Sequence, residues 1–560
     1  MDVSEAKIRA HVLENAIRHK GKANLGAVVS GLFSEGLKRG EVKGYSSKIN
    51  KIIREINVLP IESQKEAYSI LGVKASKRKI RVGLPKLPNA EKGNVIMRFA
   101  PFPSGPLHIG NARTLILNDE YVKLYDGKLL LVMDDTIGSA EKPIEPEAYK
   151  LIEEGAKWLG VKYDKVIKKS DRIEKYYEYA EELIRKGYMY VCGCADDIRR
   201  ENKINKVECS CRIILPSEQM DRWKKMFRAP EGSYCVRLKT SITDSDPAFR
   251  DRVMFRISDR HHAITKDKYR VYPLLDFSWA IDDHVFGITH ILRGMELAIE
   301  TRTEKFIWDI FGWKHSEIIY NGHFEIEGVK ISKSKGSMEV RSKKYIGWND
   351  PRTWSLQSLR DRGISPRAIR KFILDLGLRK TNITMPIDVL YSLNKKAIGE
   401  KKRVFFLDSP MKIKIKGSPQ IKKEIPFNLN EDLGSRSFDV VQEVLLSEKD
   451  LMTFEPREYR LMNLMDFKAE RVSNLHNLDY SFISTEPRGK KLKYFHWLSA
   501  KEKNVRVMIR MIDGSLVNGL GEPSLKYLKI GEIVYFERFG FVRLQKIDKE
   551  GVMEFWFGHS

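Results

Sequence analysis

Asn94 to Thr114 reads NVIMRFAPFPSGPLHIGNART, three kinds of sequence in succession. Val95, Ile96, Met97 and Phe99 predict a short buried strand. Pro101, Pro103, Ser104, Gly105 and Pro106 force a loop, and from Leu107 the spacing of Leu115, Leu117, Tyr121, Val122 and Leu124 predicts a helix. Strand, tight loop and helix start is the arrangement that sets backbone N–H groups and a helix N-terminus against phosphate, and His108 and Gly110 stand where that helix opens. An ordinary crossover whose histidine caps a helix fits these residues equally well.

A second segment separates the two readings. KISKS, Lys330 to Ser334, follows the strand-like FEIEGV and puts two lysines and two hydroxyls on one loop. By itself it reads as a solvated turn. The pair formed by His108-Ile109-Gly110 and KISKS resembles the two signatures of class I aminoacyl-tRNA synthetases. RFAPFPSGPLHIGNARTLILNDEY from Arg98, LLLVMDDT from Leu129 and IDDHVFGITHILRG from Ile281 resemble the glutamyl-tRNA synthetase family in its archaeal form. That likeness runs from about Lys92 to the C-terminus.

Composition sets the bounds. The 560 residues suffice for three to five domains, and 42% hydrophobic content is ample for sizeable cores. Lys and Arg number 100 against 75 Asp and Glu, a formal net charge of +25, which points to a large polyanionic partner. Lysine-rich surfaces also serve solubility or thermal stability. The start, MDVSEAKIRAHVLENA, has no basic segment followed by an apolar one, and no apolar run nears the ~20 residues that span a bilayer. A cytoplasmic protein with no membrane partner is expected.

Six segments are predicted. Residues 1–90 form a helical appendage with a basic, proline-containing linker from Lys74 to Lys92. Residues 91–190 alternate strand and helix, and KLLLVMDD is a continuous apolar strand delivering Asp134 and Asp135 at its carboxyl end, where open α/β sheets bind ligands. Residues 191–270 interrupt that pattern, and 271–345 complete the doubly wound, Rossmann-like α/β domain with the KISKS loop. Within it, SEIIYNGHFEIEGV reads as a strand pair. Residues 346–400 read as a helical connecting module, with Asp350 capping before Pro351 and glycines at 363 and 377. From 401 to 560, MKIKIKG, VRVMIRMI, IGEIVYFERFGFVRL and GVMEFWFG alternate, which predicts β-barrels.

Four of the five cysteines fall between Cys192 and Cys211. Cys192-x-Cys194 and Cys209-x-Cys211 predict a closed, structural tetrathiolate zinc site, against the alternative of reduced thiols buried by packing. Cys235 reads as an ordinary buried strand residue.

The resemblance implies more than the residues alone. It implies an ATP-dependent ligase, with magnesium assisting, that activates L-glutamate and transfers it to the 3′-terminal adenosine of tRNA(Glu), leaving tRNA(Gln) open as a second acceptor and a monomer as the family default. His108, Lys330 and Lys333 become the catalytic residues. ATP falls to Pro101, His108, Gly110, Asn111, Lys330, Ser332, Lys333 and Ser334, with Gly110 leaving room for adenine and ribose. Glutamate falls to Arg98 for the side-chain carboxylate and Asp134 for the α-amino group, with Ala100, Leu275, Trp279 and Arg293 around them. Arg293 stands where glutamyl enzymes carry an arginine and glutaminyl enzymes a neutral residue. The insertion would grip the acceptor end of tRNA, and its RRENK, DRWKKMFR and FRDRVMFR suit phosphate and base contacts. The C-terminal β region would bind the anticodon. Asn111, Val132, Ile137, Leu275 and Trp279 depart from the family pattern. The rivals are a glutaminyl-tRNA synthetase of the same architecture, a shortened paralogue that glutamylates a modified tRNA base, and a noncatalytic tRNA-binding paralogue.

Overall fold

A computed structural model describes residues 3–75, 83–137, 139, 142–329, 333–440, 442–471, 478–489 and 491–560, without the side chains of residues 34, 39 and 333–335. The chain divides into two compact units, Met1–Gly83 and Leu84–Ser560.

The first unit is helical, as its apolar spacing predicts: α1 (Glu5–Arg18), α2 (Leu25–Leu32), α3 (Val42–Asn57) and α4 (Ile61–Ile70). Ile8, Val12, Leu32, Ile49, Ile52 and Ile56 meet in its core. Asn24 caps α2 by accepting the N–H groups of Gly26 and Ala27. Part of the predicted linker, residues 76–82, lies outside the described residues.

In the second unit, β1 (Ile96–Phe99), α5 (Ile109–Leu124), β2 (Lys128–Met133), α6 (Pro146–Trp158), β3 (Lys165–Lys168) and α7 (Ile173–Arg185) form the first half of a doubly wound domain. An insertion follows, with β4 (Met189–Cys192), α8 (Asp196–Asn205), α9 (Pro216–Met226), β5 (Cys235–Leu238), β6 (Val253–Ile257) and β7 (Val271–Pro273). Its four strands pair antiparallel in sequence order. The domain resumes with α10 (Leu275–Val285), β8 (His290–Gly294), α11 (Ala298–Phe311) and β9 (Glu317–Asn321).

The five parallel strands run β3-β2-β1-β8-β9. Strand order reverses between β1 and β8, and a sheet of this kind opens its ligand crevice at that point, beyond the carboxyl ends. One core, with Met97, Leu115, Leu131 and Ile152, seals one face of the sheet, and another, with Val132, Ile184, Phe277 and Ile291, seals the other.

The expected strand pair in SEIIYNGHFEIEGV does not form. β9 joins the parallel sheet, while β10 (Phe324–Ile326) pairs in parallel with β11 (Ile383–Met385) of the following module. Gly322 and His323 separate the two strands, and a Cβ on Gly322 would stand 2.2 Å from the Thr381 carbonyl oxygen, so the chain leaves the sheet there against a neighbouring backbone. α12 (Lys333–Arg341) then opens on the KISKS segment, and α13 (Leu356–Asp361), α14 (Pro366–Leu376) and α15 (Ile387–Ile398) form the connecting module. Asp350 caps its start by accepting the Arg352 N–H at 3.0 Å, and Gly363 and Gly377 adopt the positive φ that ends helices.

Beyond Arg403 the β region is built as two curled seven-stranded sheets and a two-stranded ribbon. Pro410–Lys416 alternates as predicted, but Met553–His559 is buried at every position. That last strand lies between two others, and Arg362 donates to the carbonyls of Phe557 and Gly558 from one side. Among the described residues no helix is long and apolar enough to cross a membrane.

Candidate active site

A cavity of about 890 Å³ opens at the strand-order reversal, between the ends of β1, β8 and β9 and the start of α5. Of the residues singled out from the sequence, Arg98, Ala100, Pro101, His108, Gly110, Asn111, Trp279 and Arg293 line it. Asp134 and Leu275 stand outside its wall, although the Asp134 N–H donates to the Pro101 carbonyl at 3.0 Å. Lys330 and Ser332 lie outside the described residues, as do the side chains of Lys333 and Ser334.

The first signature is organised by its own side chains. His108 is the N-cap of α5, its Nδ1 accepting the Gly110 N–H at 3.1 Å, while its backbone N–H donates to Asn111 Oδ1 at 3.3 Å. The neutral imidazole then carries its proton on Nε2. Asn111 therefore completes a capping box, a structural use for a departure from the family pattern. A Cβ on Gly110 would stand 2.9 Å from His108 Cε1. The absence of a Cβ on Gly110 thus leaves room for the imidazole, and the glycine itself faces the cavity.

The proline loop and the second signature are tied together. Gly105, at φ +150°, packs so tightly on Trp348 that a Cβ would stand 2.7 Å from the indole. Trp348 Nε1 donates to Glu147 at 2.6 Å, and Glu145 takes Ser337 of α12 at 3.3 Å and pairs with Arg341. The helix that opens on KISKS is thus anchored at the start of α6, where the Glu145 N–H in turn donates to the Pro103 carbonyl of the proline loop at 2.9 Å.

At the other end of the cavity, three buried cations share one indole. Arg98, Arg293 and Lys169 stand 4.6, 4.9 and 5.1 Å from the Trp279 ring centroid. Each has its own acid. Arg98 grips Asp283 with both prongs, at 2.6 and 2.8 Å. Lys169 pairs with Asp134 at 2.9 Å, and Arg293 Nη1 donates to Glu304 at 2.9 Å and Thr301 at 3.0 Å. Asp283 thus takes the Nε and Nη2 of Arg98, whose guanidinium also lines the cavity, and the Asp134 carboxylate already holds the Lys169 ammonium. Arg293 differs: only 3% exposed, it has no partner for Nε or Nη2 among the described residues. Trp279 Nε1 is likewise unpartnered.

Lys169, Asp283 and Glu304 escaped the sequence reading because each is an ordinary charged residue at its own position. The available signal was an acid on the apolar side of a helix, as in IDDHV and in TRTEKF, where a charge has to find a buried partner. Asp135 is engaged within the fold, accepting from Tyr149, the Ser170 hydroxyl and the Ser170 N–H.

Burial raises the Glu304 carboxyl to about 7, against the opposing charge of Arg293. The folded protein therefore holds this proton more tightly than the unfolded chain, where glutamate titrates near 4.3. The stability it contributes is complete below that lower value and is lost as pH rises through the higher one. Between about pH 5 and 8 the Tm of the wild type is expected to fall relative to that of Glu304→Gln; parallel curves would contradict the raised carboxyl.

In the insertion, the sulfurs of Cys192, Cys194, Cys209 and Cys211 all lie within 4.8 Å of one another, with Cys192–Cys209 at 3.8 Å and Cys194–Cys211 at 3.9 Å. Four thiolates around one zinc at about 2.3 Å place their sulfurs about 3.8 Å apart, so the set fits. Arg222 donates to Cys211 Sγ at 3.3 Å and Arg237 to Cys209 Sγ at 3.8 Å, donors suited to an anionic cluster. Cys235 pairs across the strands with Cys192. Beside this cluster a basic hollow is lined by Arg222, Lys224, Lys225 and Arg228 with Tyr234.

Two family models match this chain: tRNA synthetases class I (E and Q), catalytic domain, over residues 94–400, and the anti-codon binding domain of the same group over 402–482. The glutamate–tRNA ligase of Methanocaldococcus jannaschii is 38% identical over 98% of each chain, and that of Pyrococcus horikoshii 39% identical over 99% of each. The glutamate–tRNA ligase of Thermococcus onnurineus is 38% identical over the whole of both. With its nucleotide-type crevice, paired signatures and full-length likeness to these proteins, the chain belongs to the class I tRNA synthetases of the E and Q group.

Proposed function

We propose that this protein is a glutamate–tRNA ligase that uses ATP to activate L-glutamate and charges tRNA(Glu). The observation that carries the choice of amino acid is Arg293, a buried guanidinium in the cavity wall with N–H groups to spare. A carboxylate satisfies such a group; a carboxamide brings no compensating charge. This is what weighs against the glutaminyl reading.

In the first step a carboxylate oxygen of glutamate attacks the α-phosphorus of ATP and pyrophosphate leaves. In the second a terminal ribose hydroxyl of tRNA attacks the activated carbonyl and AMP leaves. Phosphoryl transfer asks the protein for position and for charge where charge develops. His108 donates from Nε2 to phosphate oxygens at the N-terminus of α5, where the helix dipole favours the same anion. Lys330 and Lys333 bring positive charge to the pyrophosphate, and magnesium arriving with ATP would supply further neutralisation. Pro101 and Asn111 shape the ATP side, and Ser332 and Ser334 add hydroxyls to it. Ala100, Leu275 and Trp279 shape the glutamate side, Asp134 takes the α-ammonium, and Arg98, oriented by Asp283, holds the side-chain carboxylate together with Arg293.

The four clustered cysteines hold zinc, which keeps the insertion folded, and the hollow of Arg222, Lys224, Lys225 and Arg228 takes phosphates of the tRNA acceptor end. The protein acts in the cytoplasm as a monomer. tRNA(Gln) is a second acceptor to be tested beside tRNA(Glu).

Gly110→Ala pushes the imidazole off its cap, and His108→Ala removes it. Both are expected to lower kcat for charging by about 10²-fold or more, with KM for glutamate little changed. Wild-type rates in either variant would remove His108 from the reaction. The function itself is tested by labelled pyrophosphate exchange into ATP. Exchange that requires glutamate, with either tRNA transcript present, supports a ligase. Absence of exchange with both tRNAs leaves the noncatalytic tRNA-binding paralogue.

A further inference from the structure

Lys169 follows directly on β3 and its side chain has no exposure to solvent. Its ammonium stands 2.9 Å from Asp134 Oδ1, donates to Ser278 Oγ at 2.9 Å and lies 5.1 Å from the Trp279 centroid. An acid, a hydroxyl and a π face thus replace its hydration shell, and the charge has no need of a ligand.

The other two cations on this indole are matched to acids that have no assigned ligand, Asp283 and Glu304. Lys169 alone sits on a carboxylate that the proposed function gives to the substrate. An α-ammonium arriving at Asp134 meets a carboxylate engaged through Oδ1, with a fixed positive charge beside it. Two ammonium groups on one acid repel, and in a buried site that repulsion is poorly screened.

We propose that Lys169 is a specificity-determining positioning residue of the amino-acid pocket, whose ammonium competes with the substrate α-ammonium for Asp134 and so weakens recognition of the amine relative to the carboxylates. The inference rests on the reading of Asp134 as the α-ammonium acceptor. Its consequence is that selection in this pocket leans on the carboxylate end, where Arg293 stands.

The test compares L-glutamate with glutarate, which keeps both carboxylates and lacks the amine. KM for glutamate and Ki for glutarate are measured in the charging reaction of the full chain, for wild type, Lys169→Met and Lys169→Gln. Methionine removes the charge at similar length. Glutamine keeps N–H donors for Asp134 and Ser278 and guards against a fold lost to an uncompensated acid. The expected result is a preference for glutamate over glutarate that rises at least tenfold in both variants, through a lower KM, with Ki for glutarate within about twofold of wild type.

A wild-type preference that both variants leave unchanged overturns the proposal alone. So does equal weakening of glutamate and glutarate, the behaviour of a residue that only holds the fold. A wild type that does not prefer glutamate to glutarate at all overturns the reading of Asp134, and this proposal with it.

Discussion

Arg293→Ala is expected to lower kcat/KM for glutamate charging by about 10²- to 10³-fold, while KM for ATP stays within a few-fold of wild type. The reason is local. Arg293 is buried, its Nη1 is spent on Glu304 and Thr301, and its remaining N–H groups are what the cavity offers a carboxylate. Breaking a buried ion pair by removing one partner costs about 3–5 kcal/mol, most of it from the charge left behind. That cost would appear as lost stability too, because Glu304 is already raised by burial and would lose the cation opposing it.

The double variant Arg293→Ala/Glu304→Gln separates the two effects. It removes the stranded acid and should recover much of the Tm without recovering glutamate charging. Arg293→Lys keeps the charge but loses the planar fork, and should fall between wild type and alanine. Full activity in the alanine variant would leave carboxylate recognition to Arg98 alone, oriented by Asp283.

The second large effect belongs to the cysteine cluster. The purified protein is expected to carry one zinc per chain, and serine at Cys192, Cys194, Cys209 or Cys211 to lose it. Structural zinc contributes folding free energy on the order of 10 kcal/mol in small metal-dependent domains, so loss of the ion should unfold the insertion rather than loosen it. Elemental analysis and limited proteolysis read this directly: new cleavage between β4 and β5, and charging reduced to background.

Cys235→Ser is the control. Cys235 lies opposite Cys192 in the sheet but is not one of the four mutually close sulfurs, and its variant should keep the ion. Zinc retained in all four serine variants, or lost equally in Cys235→Ser, would contradict the assignment.

The fold was largely legible because its elements are locally encoded. β2 is a run of apolar residues ending in two aspartates, and α14 carries its buried Ala368, Ile369, Phe372 and Ile373 at helical spacing. The cysteines announced themselves by clustering. What the chain concealed was long-range pairing. Arg98 and Asp283 are 185 positions apart, and neither residue signals the other. β10 finds β11 and not its neighbour β9, because a glycine lets the chain leave the sheet. The carbonyls of the last β-strand are covered by Arg362 from another module, so the strand is buried throughout although its sequence alternates.

The site shows the same division. His108 and Gly110 could be named from their surroundings in sequence and Trp279 and Arg293 only through the family resemblance, yet the work each does depends on partners. Gly110 makes room for an imidazole, Arg98 is oriented by Asp283, and Arg293 keeps Nε and Nη2 unpartnered among the described residues.

The most direct measurement is charging of a single tRNA(Glu) transcript by the wild-type protein with labelled glutamate and, separately, labelled glutamine. A pocket built on Arg293 predicts glutamyl-tRNA in the first reaction and no product in the second. Glutamine attached, or neither amino acid attached, would contradict it.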